Sequence, residues 1–232
     1  MNILSIETST QKISLALLKK DEELIIEYDS NEVHSNIILN EIKTLLSKSN
    51  ISIQKIDGIV YSAGPGSFTG IRVAMGVALG LAYPEKIPVV GINCLESLAL
   101  QANSKYILST IDARMGEIYM ALYENKNNTK KLEAVIEPLV CNPQNLPKID
   151  DEIMDNLTIL GTGFLEYKEL FKGSYSKAKE FILNSPEKLS IFQAEVGKLK
   201  LPDKFDLNIV QPIYIRNKVA MTIKERYENK HS

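Results

Sequence analysis

Four short stretches bring together residue types suited to phosphate or metal chemistry. Glu7-Thr8-Ser9-Thr10 closes an apolar run with a carboxylate and three hydroxyls, and Asp112-Ala113-Arg114-Met115-Gly116 offers a second carboxylate in a second turn. Ala63-Gly64-Pro65-Gly66-Ser67-Phe68-Thr69-Gly70-Ile71-Arg72 is a glycine-rich turn running into an apolar segment, and Gly161-Thr162-Gly163 is a smaller echo of it. Free amides at a helix start hold an anion. Ser67 in the same place can instead accept a first-turn amide as a helix cap, with Gly64 and Gly66 relieving the backbone. The spacing favours the cap: the glycines form GxGxxxG, not GxGxxG, and no Lys-Ser/Thr follows at P-loop distance.

Metal and nucleophile chemistry find little support. The two histidines, His34 and His231, and the two cysteines, Cys94 and Cys141, are scattered with no CxxC spacing. The cysteines read as reduced thiols of a cytosolic protein, and no structural zinc site can be assembled. A peptidase needs an activated nucleophile. His34 is the only candidate base, and nothing places Ser35, Cys94 or Cys141 beside it.

The elements that must position these turns follow from periodicity. Residues 2–7, 13–19 and 23–28 are β-rich runs with tight breaks, an antiparallel meander. From Ser35, Ile38, Leu39, Ile42, Leu45 and Leu46 recur at three and four, one face of a helix ending near Asn50. A buried strand at 58–62, a helix at 68–83, a strand at 89–92 and a helix at 95–102 complete a mixed α/β unit. The pattern restarts with strands at 106–111, 117–123 and 132–138, a loop-rich stretch at 142–155, a strand at 157–160 and a helix toward Phe171. A terminal helix is predicted at 219–228, and the polar stretch 125–131 reads as a hairpin tip. Three strands followed by helices, twice, predict two related subdomains: 1–104 and 105–216, with a helix at 217–230 packing back on the first.

Composition narrows the function. The chain has 232 residues, 27 Lys+Arg against 29 Asp+Glu and a net charge of −2, too balanced to coat nucleic acid or an anionic membrane. Hydrophobic residues are 44% and charged ones 24%, an ordinary globular balance. The N-terminus lacks a basic n-region and meets a carboxylate at Glu7, so neither signal peptide nor anchor is expected and the location is cytoplasmic. The apolar run 71–83 contains Arg72 and would reach about 20 Å as a helix, short of roughly 30 Å of hydrocarbon. From Arg216 to the end, five Lys/Arg face two Glu, either a solvated face or a contact for RNA.

The helix at 68–83 is unusual. Gly76 and Gly80 lie four apart, with Ala74, Ala78 and Ala82, although each interior glycine costs about 1 kcal/mol relative to alanine. Arg72 is the only formal charge in it. Either it lies in the core, or one face is covered when a second polypeptide approaches closely.

These residues resemble the bacterial TsaB (YeaZ) family over almost the whole chain. The resemblance rests on Ile3-Leu4-Ser5-Ile6-Glu7-Thr8-Ser9, the 63–72 turn, Asp112-Ala113-Arg114 with Glu117-Ile118-Tyr119, and Pro212-Ile213-Tyr214-Ile215-Arg216. It implies an α/β, actin/Hsp70-like ATPase fold of two RNase H-like subdomains. It also implies a role in making N6-threonylcarbamoyladenosine beside the anticodon of tRNAs that read codons starting with A. In that family the protein is the non-catalytic partner of TsaD, with the ATPase TsaE joining and a homodimer forming when TsaD is absent. ATP and metal are then expected on partner subunits, none on this chain, and tRNA contact is indirect.

The family turn is Gly64, Pro65, Gly66, Ser67, Phe68, Thr69 and Gly70. Glu7, Thr8, Ser9, Asp112, Gly161 and Gly163 stand where nucleotide loops would be, but Arg114 and Met115 occupy positions where close approach to phosphate favours small residues. TsaD-like proteins carry a His-x-x-x-His metal pair on the helix after the fifth strand. Here Cys94 and Leu98 stand in its place, and leucine ligates no metal. The expected docking surface is His34, Ile38, Leu39, Ile42 and Leu45 from the first helix with Arg72, Val73, Gly76, Val77 and Gly80 from the second. The alternative is a stand-alone ATPase or sugar-kinase-like enzyme, motivated by Glu7, Asp112 and the glycine turns.

Overall fold

The computed structural model describes residues 1–10, 12–20, 22–29, 35–126, 131–184 and 186–216. The predicted terminal helix, His34 and most of the polar hairpin tip lie outside them. The first half runs β1 Ile3–Glu7, β2 Lys12–Leu18, β3 Glu23–Asp29, α1 Ser35–Lys48, β4 Gly58–Gly64, α2 Phe68–Glu85, β5 Val89–Asn93 and α3 Cys94–Ala99. The second runs β6 Tyr106–Arg114, β7 Glu117–Asn125, β8 Leu132–Cys141, α4 Asp151–Met154, β9 Leu157–Gly161, α5 Thr162–Glu166, α6 Lys168–Ser174, β10 Glu180–Phe181 and α7 Leu189–Lys200.

The internal repeat is explicit in the strand order. The first sheet is β3-β2-β1-β4-β5, and the second, read from its far edge, is β8-β7-β6-β9-β10. In both, the first three strands pair antiparallel and the last two add in parallel, which makes each half RNase H-like and the whole an actin-like ATPase fold.

β1 is buried at every residue because both faces of its sheet are covered. Leu4 and Ile6 join the core beneath α1 and α2, while Ile3 joins Val60, Ile92, Ala194 and Val196 beneath α7. α3 lies on the second sheet and α7 on the first, and the two helices touch. The division at residue 104 therefore needs a correction: 189–200, assigned with the second half, packs on the sheet of the first. A side chain at Gly197 would run into Val60, so this packing is close. After α7 an irregular strap, 201–216, returns along the first half: Tyr61 donates to the Gln211 carbonyl at 3.1 Å, and the Ile213 amide to the Ala63 carbonyl at 2.6 Å.

Candidate functional site

The four motif pieces, far apart in sequence, meet at one cleft between the halves. It encloses about 920 Å³, and Ser9, Ser67, Phe68, Asp112, Arg114, Tyr214 and Arg216 are among its walls. On one rim Phe68 stacks on Tyr214 at 5.9 Å, and the Arg72 guanidinium lies 3.6 Å over the Phe68 ring while its Nε donates to the Tyr214 hydroxyl at 3.1 Å. On the other, Arg216 pairs with Glu117 and donates to the Arg114 carbonyl at 3.4 Å. The strap thereby ties the start of α2 to the β6–β7 hairpin.

The glycine turn is a cap whose free space the chain itself fills. Ser67 Oγ accepts from the Gly70 amide at 3.2 Å, and Ser67's own amide donates to the Ser9 carbonyl at 2.7 Å. A methyl on Gly66 would meet that carbonyl at 2.6 Å, and one on Gly70 would collide with the Thr8 carbonyl. The space beside both glycines is taken by residues 8 and 9, so the two glycines serve loop packing. Gly161 has φ +107, and a methyl there would strike the Thr110 carbonyl. Thr110 Oγ1 accepts from the amide of Phe164, in the first turn of α5, at 2.8 Å.

Both candidate carboxylates are engaged. Glu7 is 1% exposed, and its Oε1 accepts from the Ser9 amide and the Ser9 hydroxyl, both at 2.6 Å. Burial raises its carboxyl above the usual range, against the pull of those bonds. Asp112 accepts from the Arg114 amide at 2.9 Å, and the Arg114 guanidinium sits 3.3 Å from its other oxygen. Arg114 and Met115 both adopt left-handed backbone, φ 62 and 57. Among the described residues no three His, Cys, Asp or Glu gather as metal ligands. Glu7 and Asp112 thus each spend their carboxylate on hydrogen bonds within their own loop.

Of the two thiols, Cys94 is buried and Cys141 half-buried. Cys94 lies 3.0 Å from Ser9 Oγ, and burial pushes its thiol well up. Cys141 is raised to about 11, also by burial. Neither shows the depressed pKa of a reactive cysteine.

A second concavity, about 420 Å³, opens between α1 and α2 and is lined by Leu39, Val73, Gly76, Val77, Gly80 and Leu81. Methyls on Gly76 or Gly80 would meet nothing within 4 Å, so no part of the described chain uses their lack of a side chain. The structure corrects the expected surface in four places. Ile38, Ile42 and Leu45 are fully buried against the first sheet, because the stripe that periodicity picked out is the one that closes the core. Val77, expected to face outward, is 7% exposed and forms the groove floor. Arg72, Gly76 and Gly80 are exposed and Val73 half-buried. Leu81, and Tyr214 as the anchor of Phe68, were missed; Leu81 one residue past Gly80 was the available signal for the first.

A family model described as TsaD, tRNA N6-adenosine threonylcarbamoyltransferase, matches residues 27–224. The tRNA threonylcarbamoyladenosine biosynthesis protein TsaB of Escherichia coli (strain K12) is 30% identical over 95% of this chain and 96% of its own. That of Haemophilus influenzae is 28% identical over 95% of each. A crystal structure of a Pseudomonas aeruginosa protein with similarity to peptidase YeaZ superposes with a TM-score of 0.75 at 25% identity, covering 93% of this chain and 99% of that one. Among the described residues no helix is long and apolar enough to cross a membrane.

Proposed function

The chain belongs to the TsaB (YeaZ) family of tRNA threonylcarbamoyladenosine biosynthesis proteins, and we propose that it serves that pathway as a non-catalytic, activating subunit that docks TsaD through the groove between α1 and α2. TsaE joins the resulting complex, which modifies the adenosine adjacent to the anticodon in tRNAs reading codons that start with A. A second copy of the chain takes the same face when TsaD is absent. ATP and metal work on the partner subunits, and at a net charge of −2 most of the cationic contact to tRNA comes from them.

One observation carries this reading: two glycines inside α2 face open space. Each costs the isolated helix about 1 kcal/mol, and close approach by another backbone is the compensation that the monomer lacks. The engagement of Glu7 and Asp112 by their own loops supports the non-catalytic part. Co-purification with TsaD tests the surface: Gly76→Arg and Gly80→Arg abolish association while the chain stays folded, and unchanged association rejects the assignment. Depletion followed by mass spectrometry of tRNA nucleosides tests the pathway role, with loss of threonylcarbamoyladenosine expected. Turnover of ATP with Mg²⁺ by the isolated chain would favour the enzyme reading instead.

A further inference from the structure

Glu7 is a buried acid with no cation among its described partners. Its described partners are the Ser9 amide and hydroxyl, both on one oxygen, the Cys94 thiol at 3.8 Å from the other, and the Thr10 amide. A carboxyl held this way is costly unless its acceptor oxygen has work to do. What it holds is the Thr8-Ser9 turn, and that turn is the seat of α2. The Ser9 carbonyl receives the amide of the helix cap Ser67 at 2.7 Å. Thr8 Oγ1 donates to the Gly70 carbonyl at 2.7 Å, and the Thr8 amide donates to Ser62 Oγ at 3.3 Å, locking the turn to β4. The absence of side chains at Gly66 and Gly70 lets the two backbones meet.

We propose that Glu7 is a positioning residue for the docking helix: by fixing the Thr8-Ser9 turn against the first turn of α2, it sets the pose in which Gly76 and Gly80 meet the partner. The helix is a stiff rod rising about 1.5 Å per residue, so a tilt at Gly70 is carried to Gly80 as a displacement of the groove. The carboxylate at the end of β1 thus acts here as a hydrogen-bond acceptor. Negative charge is not required of it, and burial favours the neutral form.

The proposal rests on the docking reading, and the experiment separates the two. Association of the full chain with TsaD is measured by calorimetry for wild type, Glu7→Gln, Glu7→Ala, Thr8→Val and Gly76→Arg, with hydrogen exchange at the Ser67 and Gly70 amides. Glutamine keeps an acceptor oxygen for both Ser9 donors, so Glu7→Gln binds like wild type. Glu7→Ala and Thr8→Val bind roughly tenfold more weakly, the factor that about 1.4 kcal/mol makes in a binding constant, and exchange faster at Ser67 and Gly70. Thr8→Val carries the test if Glu7→Ala does not fold. Glu7→Gln as weak as Glu7→Ala overturns the proposal, because charge would then be what matters. Full association by Glu7→Ala and Thr8→Val, with Gly76→Arg defective, also overturns it. If Gly76→Arg binds normally, it is the docking reading that fails.

Discussion

Replacing Gly76 and Gly80 together by alanine should stabilise the isolated chain while weakening its association with TsaD. The methyls enter open space, so no overpacking penalty opposes the gain in helix propensity of about 1 kcal/mol at each site. At about 2 kcal/mol in total, a chain of 232 residues should melt about 4–8 °C higher, from the usual 2–4 °C per kcal/mol at this size. Urea unfolding at concentrations that keep the chain monomeric reads the stability, since self-association adds a mass-action contribution of its own. Calorimetry with TsaD reads the association, which falls because the methyls hold the incoming backbone away. A loss of stability would mean that this face of α2 is already packed and refute the geometry. A gain of stability with undiminished association would refute the surface.

Gly70→Ala in the same helix has the opposite sign: the Thr8 backbone must move, and overpacking of about 1–3 kcal/mol outweighs the propensity gain, so urea midpoints fall. Glu7→Gln gives a pH signature. The folded-state pKa of Glu7 is raised above 4.5, so the native state binds more protons than the unfolded one and wild-type stability declines as pH rises from about 4.5 through the folded pKa. The variant, lacking that loss, gains relative to wild type with increasing pH over this window, and parallel stability curves would contradict the burial of the acid. Thiol titration of the native protein should show no fast-reacting cysteine, since burial raises both thiols; urea should expose two, and rapid labelling of Cys94 in the native state would show its cover to be absent.

Much of the fold is legible because its signals are local. The meander of β1 to β3, the Ser67 cap and the length of α2 follow from period, turn residues and hydrogen-bond chemistry within a few positions. α7 escaped for a physical reason: buried by contacts with the first sheet and with α3, it sinks Ser190, Gln193 and Gly197 along with its apolar residues, so the polar-apolar contrast that marks a surface helix is blurred. The same limit explains the error in α1. Periodicity finds the apolar stripe of Ile38, Ile42 and Leu45, but whether such a stripe meets a sheet or a partner depends on what lies across from it.

By itself, then, the sequence determined the two-fold repeat of α/β units, the lack of a histidine pair and the anomaly of a nearly uncharged helix with interior glycines. Only the tertiary structure decided that Gly66 and Gly70 are filled by Thr8 and Ser9 while Gly76 and Gly80 are open, that Glu7 and Asp112 are held by their own loops, and that Tyr214 and Arg216 close on the cleft from 142 and 99 positions away. The reason is that glycine and carboxylate roles depend on the atom opposite, and that atom comes from a distant part of the chain which no local pattern specifies.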